Sequence, residues 1–134
     1  MKINKIVASC FAAAAFTWAV PVMAGDVYVI ANSALSLAED DVRDVFLGDK
    51  QVAGGTKVVP MDNASTQKDF LEKVLKIDGP KYGNIWTKKG FRDGLNPPAV
   101  KSSDAEVISA VKATPGGVGY VTSAPAGVKV VKKY

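Results

Sequence analysis

Between residues 27 and 32 the chain reads VYVIAN, an unbroken apolar run without alternation, which predicts a strand buried on both faces. The next segment, SALSLAEDDVRDVFLGDK, switches to a helical period. Ser36 and Glu39 are spaced as a capping box, Val42, Val45 and Phe46 fall on one face, and Gly48 ends the pattern. QVAGGT carries the glycines of a turn, and KVVPM after it reads as a second strand, with Pro60 at its end or on an edge.

From Ser65 or Thr66 the helical period returns, with Phe70, Leu71, Val74 and Leu75 on one stripe and Lys68, Glu72, Lys73 and Lys76 toward water. A third helix starts around Pro80, which suits a first-turn position, and turns Tyr82, Ile85 and Trp86 inward before Gly90. FRDGLNPPAVKSS reads as one long irregular loop, because Gly94, Pro97 and Pro98 break both periods. Ser103 and Glu106 form a second capping box, Val107, Ile108 and Val111 give the fourth helix its buried face, and TPGG ends it. GVGYVT and GVKVVKK then predict two final strands. The order β-α-β-α-α-loop-α-β-β argues a single small layered α/β domain, a short mixed sheet covered by helices.

The first 24 residues belong to another class. Lys2 and Lys5 precede the apolar IVASCFAAAAFTWAVPV, and Val22 and Ala24 frame a cleavage point before Gly25, the pattern of a secretory signal peptide. Cys10 sits in VASC, similar to a lipoprotein acylation box, but the four residues between Lys5 and Cys10 leave no room for the apolar segment such a box requires. The expected mature domain, residues 25–134, contains neither cysteine nor histidine. That inventory excludes a thiol nucleophile, a Ser-His-Asp triad and a zinc site of ordinary ligands, so neither an enzyme nor a cofactor is expected. Loss of Lys2 and Lys5 lowers the formal charge from +4 to about +2, with the lysines dispersed, which points away from nucleic acid. The domain is expected in the periplasm or outside the cell, without membrane insertion after cleavage.

The candidate chemistry lies in MDNASTQKDF, where a strand ends and a helix begins. The first amides of a helix lack partners inside it and point outward at the positive end of the dipole, so an oxyanion can bind there with help from hydroxyls. Asn63, Ala64, Ser65 and Thr66 fit that role and equally fit simple helix capping. Asp62 just ahead would repel a free oxyanion, accept a proton from a protonated one, or itself cap the helix. Arg92, in the Gly/Pro-rich stretch, is a candidate guanidinium clamp, and Asn32 at the end of the first strand a further contact.

Taken together, FLGDK, the Gly-rich turn, VVPMDNAST, QKDFLEKVL, IWTKKGF and VISAVKATPGGVGYV resemble the phosphate-type substrate-binding proteins of bacterial ABC transporters. The resemblance runs from Val27 to Val121, and TPGGVGYV is its most specific piece. It implies one lobe of a type II periplasmic binding protein, whereas full-length relatives close two lobes on their ligand. In that family a Gly-Ser-Gly-Thr turn holds the phosphate. It falls here on Asn63, Ala64, Ser65 and Thr66, of which Thr66 matches in type while Ser65 supplies a hydroxyl one place over. Both glycines are absent, and Pro60 and Met61 stand where the family commonly places an arginine.

Two functions of different class follow. One is an exported solute-binding-like protein taking phosphate or a similar small oxyanion, with an ABC transporter permease as its partner. The other is a ligand-free interaction module that uses the surface of an absent second lobe for self-association or for a protein partner.

Overall fold

The computed structural model describes residues 25–134, so the expected signal peptide and Cys10 lie outside the described residues. The chain runs through β1 (Tyr28–Ala31), a 3₁₀ turn (Glu39–Asp41) leading into α1 (Val42–Phe46), and the hairpin β2 (Val52–Ala53) and β3 (Thr56–Lys57). It continues through β4 (Val59–Asn63), α2 (Gln67–Phe70) with a following π-helical turn (Leu71–Leu75), and α3 (Gly79–Asp93). Then come β5 (Ala99–Lys101), α4 (Asp104–Ala113), β6 (Gly117–Val121) and β7 (Lys129–Lys133). Five strands form one mixed sheet in the order β5-β4-β6-β1-β7, and β2 with β3 forms a separate ribbon. β4 is parallel to both β5 and β6, while β1 pairs antiparallel with β6 and β7.

Helices on both faces explain why the two predicted inner strands have no polar alternation. Val29, Ala31, Val118 and Tyr120 point into a core with Phe46, Phe70, Leu75 and Trp86, under α1, α2 and α3. Ile30, Met61 and Val121 point the other way, onto Val107 and Val111 of α4. The larger core centres on aromatic rings: Phe70 stacks on Tyr120 at 3.8 Å and 4° between planes, and Phe46 meets Phe70 edge-on at 4.7 Å. Full burial of one such side chain contributes roughly 1.5–3 kcal/mol.

The glycines of TPGGVGYV have separate reasons. Gly116 lays its backbone against the Lys57 carbonyl, and its own carbonyl accepts from the Val59 amide at 2.8 Å, which seats β4 against β6. At Gly119 any Cβ would meet Val107 of α4 at 2.5 Å, so the residue sets how closely that helix approaches the sheet.

Several local expectations are corrected. The Ser36/Glu39 capping box is not formed, because the backbone at Ala38 is extended and the helix begins there as a 3₁₀ turn without a side-chain cap. α3 does not stop at Gly90 but continues to Asp93, where left-handed Gly94 (φ 67°) closes it. The expected loop therefore contains the last turn of α3 and an edge strand, β5, held by parallel pairing of Ala99, Val100 and Lys101 with Met61, Asp62 and Asn63. VAGGTK is a short β-ribbon rather than a bare turn. Pro60 sits near the start of an inner strand, facing Val118 on one side and preceding the first β5 pair on the other, so its missing N–H breaks no ladder bond to β5. Among the described residues no helix is long and apolar enough to cross a membrane.

Candidate functional site

β4 reaches β5 through α2 and α3 on one face of the sheet, and β5 reaches β6 through α4 on the other. The carboxyl ends of β4 and β5 thus send their connections to opposite faces. In an open α/β sheet such a switch point is where ligands bind. Residues 63–66 lie on it, and the Ala64 amide donates to the Lys101 carbonyl at 2.8 Å, tying the two strand ends together.

The turn is built around Asn63, which is fully buried. Its Oδ1 accepts from the Ser65 amide at 3.1 Å and from the Ser65 hydroxyl at 2.6 Å, and its carbonyl accepts from the Thr66 amide at 3.0 Å. The amides of Ala64, Ser65 and Thr66 are therefore all engaged within the protein. Ser65 is exposed and Thr66 buried, with their hydroxyl oxygens 3.4 Å apart. Thr66 stands at the N-cap of α2 without a side-chain bond to the helix amides.

The other side of Asn63 meets an acid. Its Nδ2 donates to Asp104 Oδ1 at 2.6 Å and to the Tyr120 carbonyl at 3.0 Å. Asp104 Oδ2 accepts from the Thr122 amide at 3.0 Å and from its hydroxyl at 2.5 Å. Partial burial raises the Asp104 pKa, but the Thr122 and Asn63 donors outweigh it and hold the carboxyl below its ordinary value. Three donors from two strand ends thus converge on a carboxylate at the switch point.

Directly before the turn, Asp62 is buried at 2% exposure. Tyr82 of α3 donates to both its oxygens at 3.2 and 2.9 Å, and Tyr120 of β6 donates to Oδ1 at 2.9 Å. Burial pushes the carboxyl up to about 6 against the opposing pull of the two phenols. Burial and the neighbouring carboxylate in turn push both phenols above their ordinary range, so they remain protonated donors.

Asn32 and Arg92 are not brought to this edge. Asn32 follows Ala31, which pairs with Val118 near the start of β6. There it donates to the carbonyls of Val111 and Lys112 at 2.9 and 3.2 Å, capping the far end of α4. Arg92 is in the last turn of α3, where the chain turns back toward the start of β5; its exposed guanidinium pairs with Asp93 at 3.4 Å. The strand directions place both at the opposite end of the sheet from residues 63–66. The residues that sequence reasoning missed are Asp104, Thr122, Tyr82 and Tyr120. Their roles come from pairings across 18 to 58 residues, for which the local sequence carried no signal beyond the second capping box at the start of α4. Among the described residues, no group of three or more His, Cys, Asp or Glu side chains is arranged to hold a metal ion.

No family model and no curated protein sequence matches this chain. Among solved structures it is similar to an ABC-type phosphate transport receptor from Vibrio cholerae, with a TM-score of 0.50 and 12% sequence identity over 81% of this chain. The match covers 47% of the receptor, so the chain spans about half the length of that protein. The α/β layers described above are therefore consistent, as a fold, with one lobe of a periplasmic binding protein.

Proposed function

We propose that this chain is an exported solute-binding lobe that recognises phosphate or a similar small oxyanion at Asn63, Ala64, Ser65 and Thr66. The observation that carries the reading is the position of this polar turn: it joins the carboxyl end of β4 to a helix at the point where connections leave the sheet on opposite faces. Ser65 and Thr66 carry hydroxyls there, and the amide donors of Asn63 and Thr122, which Asp104 now holds, are neutral groups of the kind that suits an oxyanion and needs no cofactor, so an oxyanion binds by displacing that internal carboxylate. A single lobe buries only part of so small a ligand, so the affinity is weak until a partner, an ABC transporter permease or a second copy, covers the site. Titration with phosphate followed by amide chemical shifts tests this. Shifts confined to residues 63–66 and 122 support it, and a spectrum unmoved at millimolar phosphate argues against it.

A specific observation favours the second reading, a ligand-free interaction module. Asn63 already satisfies the Ser65 and Thr66 amides, and Asp104 already takes the Asn63 and Thr122 donors. Under that reading the switch point is a structural knot and the exposed surface serves association. Its signature is a stable dimer in light scattering together with indifference to anions.

A further inference from the structure

Asp62 is the one buried charged side chain among the described residues. Its partners are two neutral phenols, and no ion pair among the described residues reaches it. A desolvated carboxylate without a cation is costly, which is why burial raises its pKa. The residue also lines the floor of an open groove of about 630 Å³ between α3 and the edge strand β5. Tyr82, Trp86, Phe91, Pro97, Pro98 and Val100 supply the apolar surface of that groove, and Phe91 and Val100 on its rim are 90% and 61% exposed.

An anionic floor beneath an aromatic and aliphatic rim selects one chemical class. A simple oxyanion is repelled by Asp62. A neutral apolar molecule leaves the carboxylate uncompensated. An organic cation supplies the missing charge and covers the rim with its hydrocarbon part, while its positive end is attracted to the faces of nearby aromatic rings. Asp62 Oδ2 has one donor, from Tyr82, and so keeps acceptor capacity for an ammonium N–H. None of residues 63–66 lines the groove.

We propose that the groove between α3 and β5 binds small organic ammonium ions, with the Asp62 carboxylate as their counter-ion and Phe91 as an apolar contact. The site is separate from the oxyanion turn and does not depend on it.

The test uses protein purified from expression of the full chain, titrated calorimetrically with benzylammonium and, as the neutral isostere, benzyl alcohol. Saturable binding of benzylammonium is expected, with benzyl alcohol weaker by about tenfold or more. Asp62→Asn should reduce benzylammonium to the level of the alcohol. Phe91→Ala, at an exposed position outside the core, should weaken both by about threefold. If Asp62→Asn fails to fold by circular dichroism, the ratio between the two probes and the Phe91→Ala result decide alone. Equal binding of the two probes, no saturation at tens of millimolar, or an Asp62→Asn variant that folds and binds the ammonium unchanged would overturn the proposal.

Discussion

The side-chain amide of Asn63 donates a 2.6 Å hydrogen bond to the carboxylate of Asp104, joining the end of β4 to the start of α4 across 41 residues. The same carboxylate accepts from Thr122 at the end of β6, so three chain segments meet on one internal anion at the switch point. The protein's own carboxylate therefore competes with any external oxyanion for the Asn63 and Thr122 donors.

Replacing Asp104 separates its two effects. Asp104→Ala removes charge-assisted bonds at a partly exposed site and should lower stability by about 1–2 kcal/mol in urea denaturation. It also frees the donors and removes a repelling charge, so phosphate should bind several-fold more tightly than to the unaltered protein. Lower stability with unchanged phosphate affinity would make the cluster structural only.

Asp62 gives the fold a pH dependence of defined sign. Its folded pKa of about 6 lies above the ordinary value of 3.8, so the folded state holds its proton more tightly than the unfolded chain does. The stabilisation is complete below the ordinary value, is lost as pH rises between the two values, and is gone above the folded one. The amplitude is about 3 kcal/mol. Asp62→Asn removes this contribution, so melting temperatures of the variant should gain on those of the unaltered protein between about pH 4 and about pH 6. Parallel profiles for the two proteins over that range would show that the buried carboxylate is not responsible.

Two glycines test the packing of the sheet. A methyl group at Gly116 would overlap the Lys57 carbonyl, and because both are backbone, the contact between β4 and β6 must shift. Gly116→Ala should cost about 2–3 kcal/mol. At Gly83, inside α3, a methyl group meets nothing within 4 Å, and Gly83→Ala should stabilise the protein by about 0.5–1 kcal/mol through helix propensity and reduced freedom of the unfolded chain. Chemical denaturation of both variants checks the pair. Equal effects would contradict the close approach at Gly116.

The legible parts of the sequence were those where burial is local and periodic. VYVIAN and GVGYV are apolar throughout because helices cover both sides of their strands, and Tyr82, Ile85 and Trp86 face inward as their helical spacing predicts. β5 was invisible because Ala99, Val100 and Lys101 form an exposed edge strand after two prolines, and its strand identity comes from the β4 backbone beside it. In the sequence Gly90 has the look of a helix end, which puts Arg92 in a loop, yet the left-handed cap comes four residues later at Gly94. In the candidate site, Asn63, Ser65 and Thr66 stood out as helix-start residues. That Asn63 turns its side chain back onto Ser65, and that Asp104, Tyr82 and Tyr120 converge on this edge, are consequences of sheet order that no local window contains.

An oxyanion contact at the end of β4 is open to calorimetric titration of the purified protein with phosphate, beside a Ser65→Ala, Thr66→Ala double variant, with light scattering on the same samples. Weak, saturable phosphate binding is expected, weakened by about tenfold or more in the double variant. Absence of heat at millimolar phosphate in both the unaltered protein and Asp104→Ala, accompanied by a stable dimer, would contradict it.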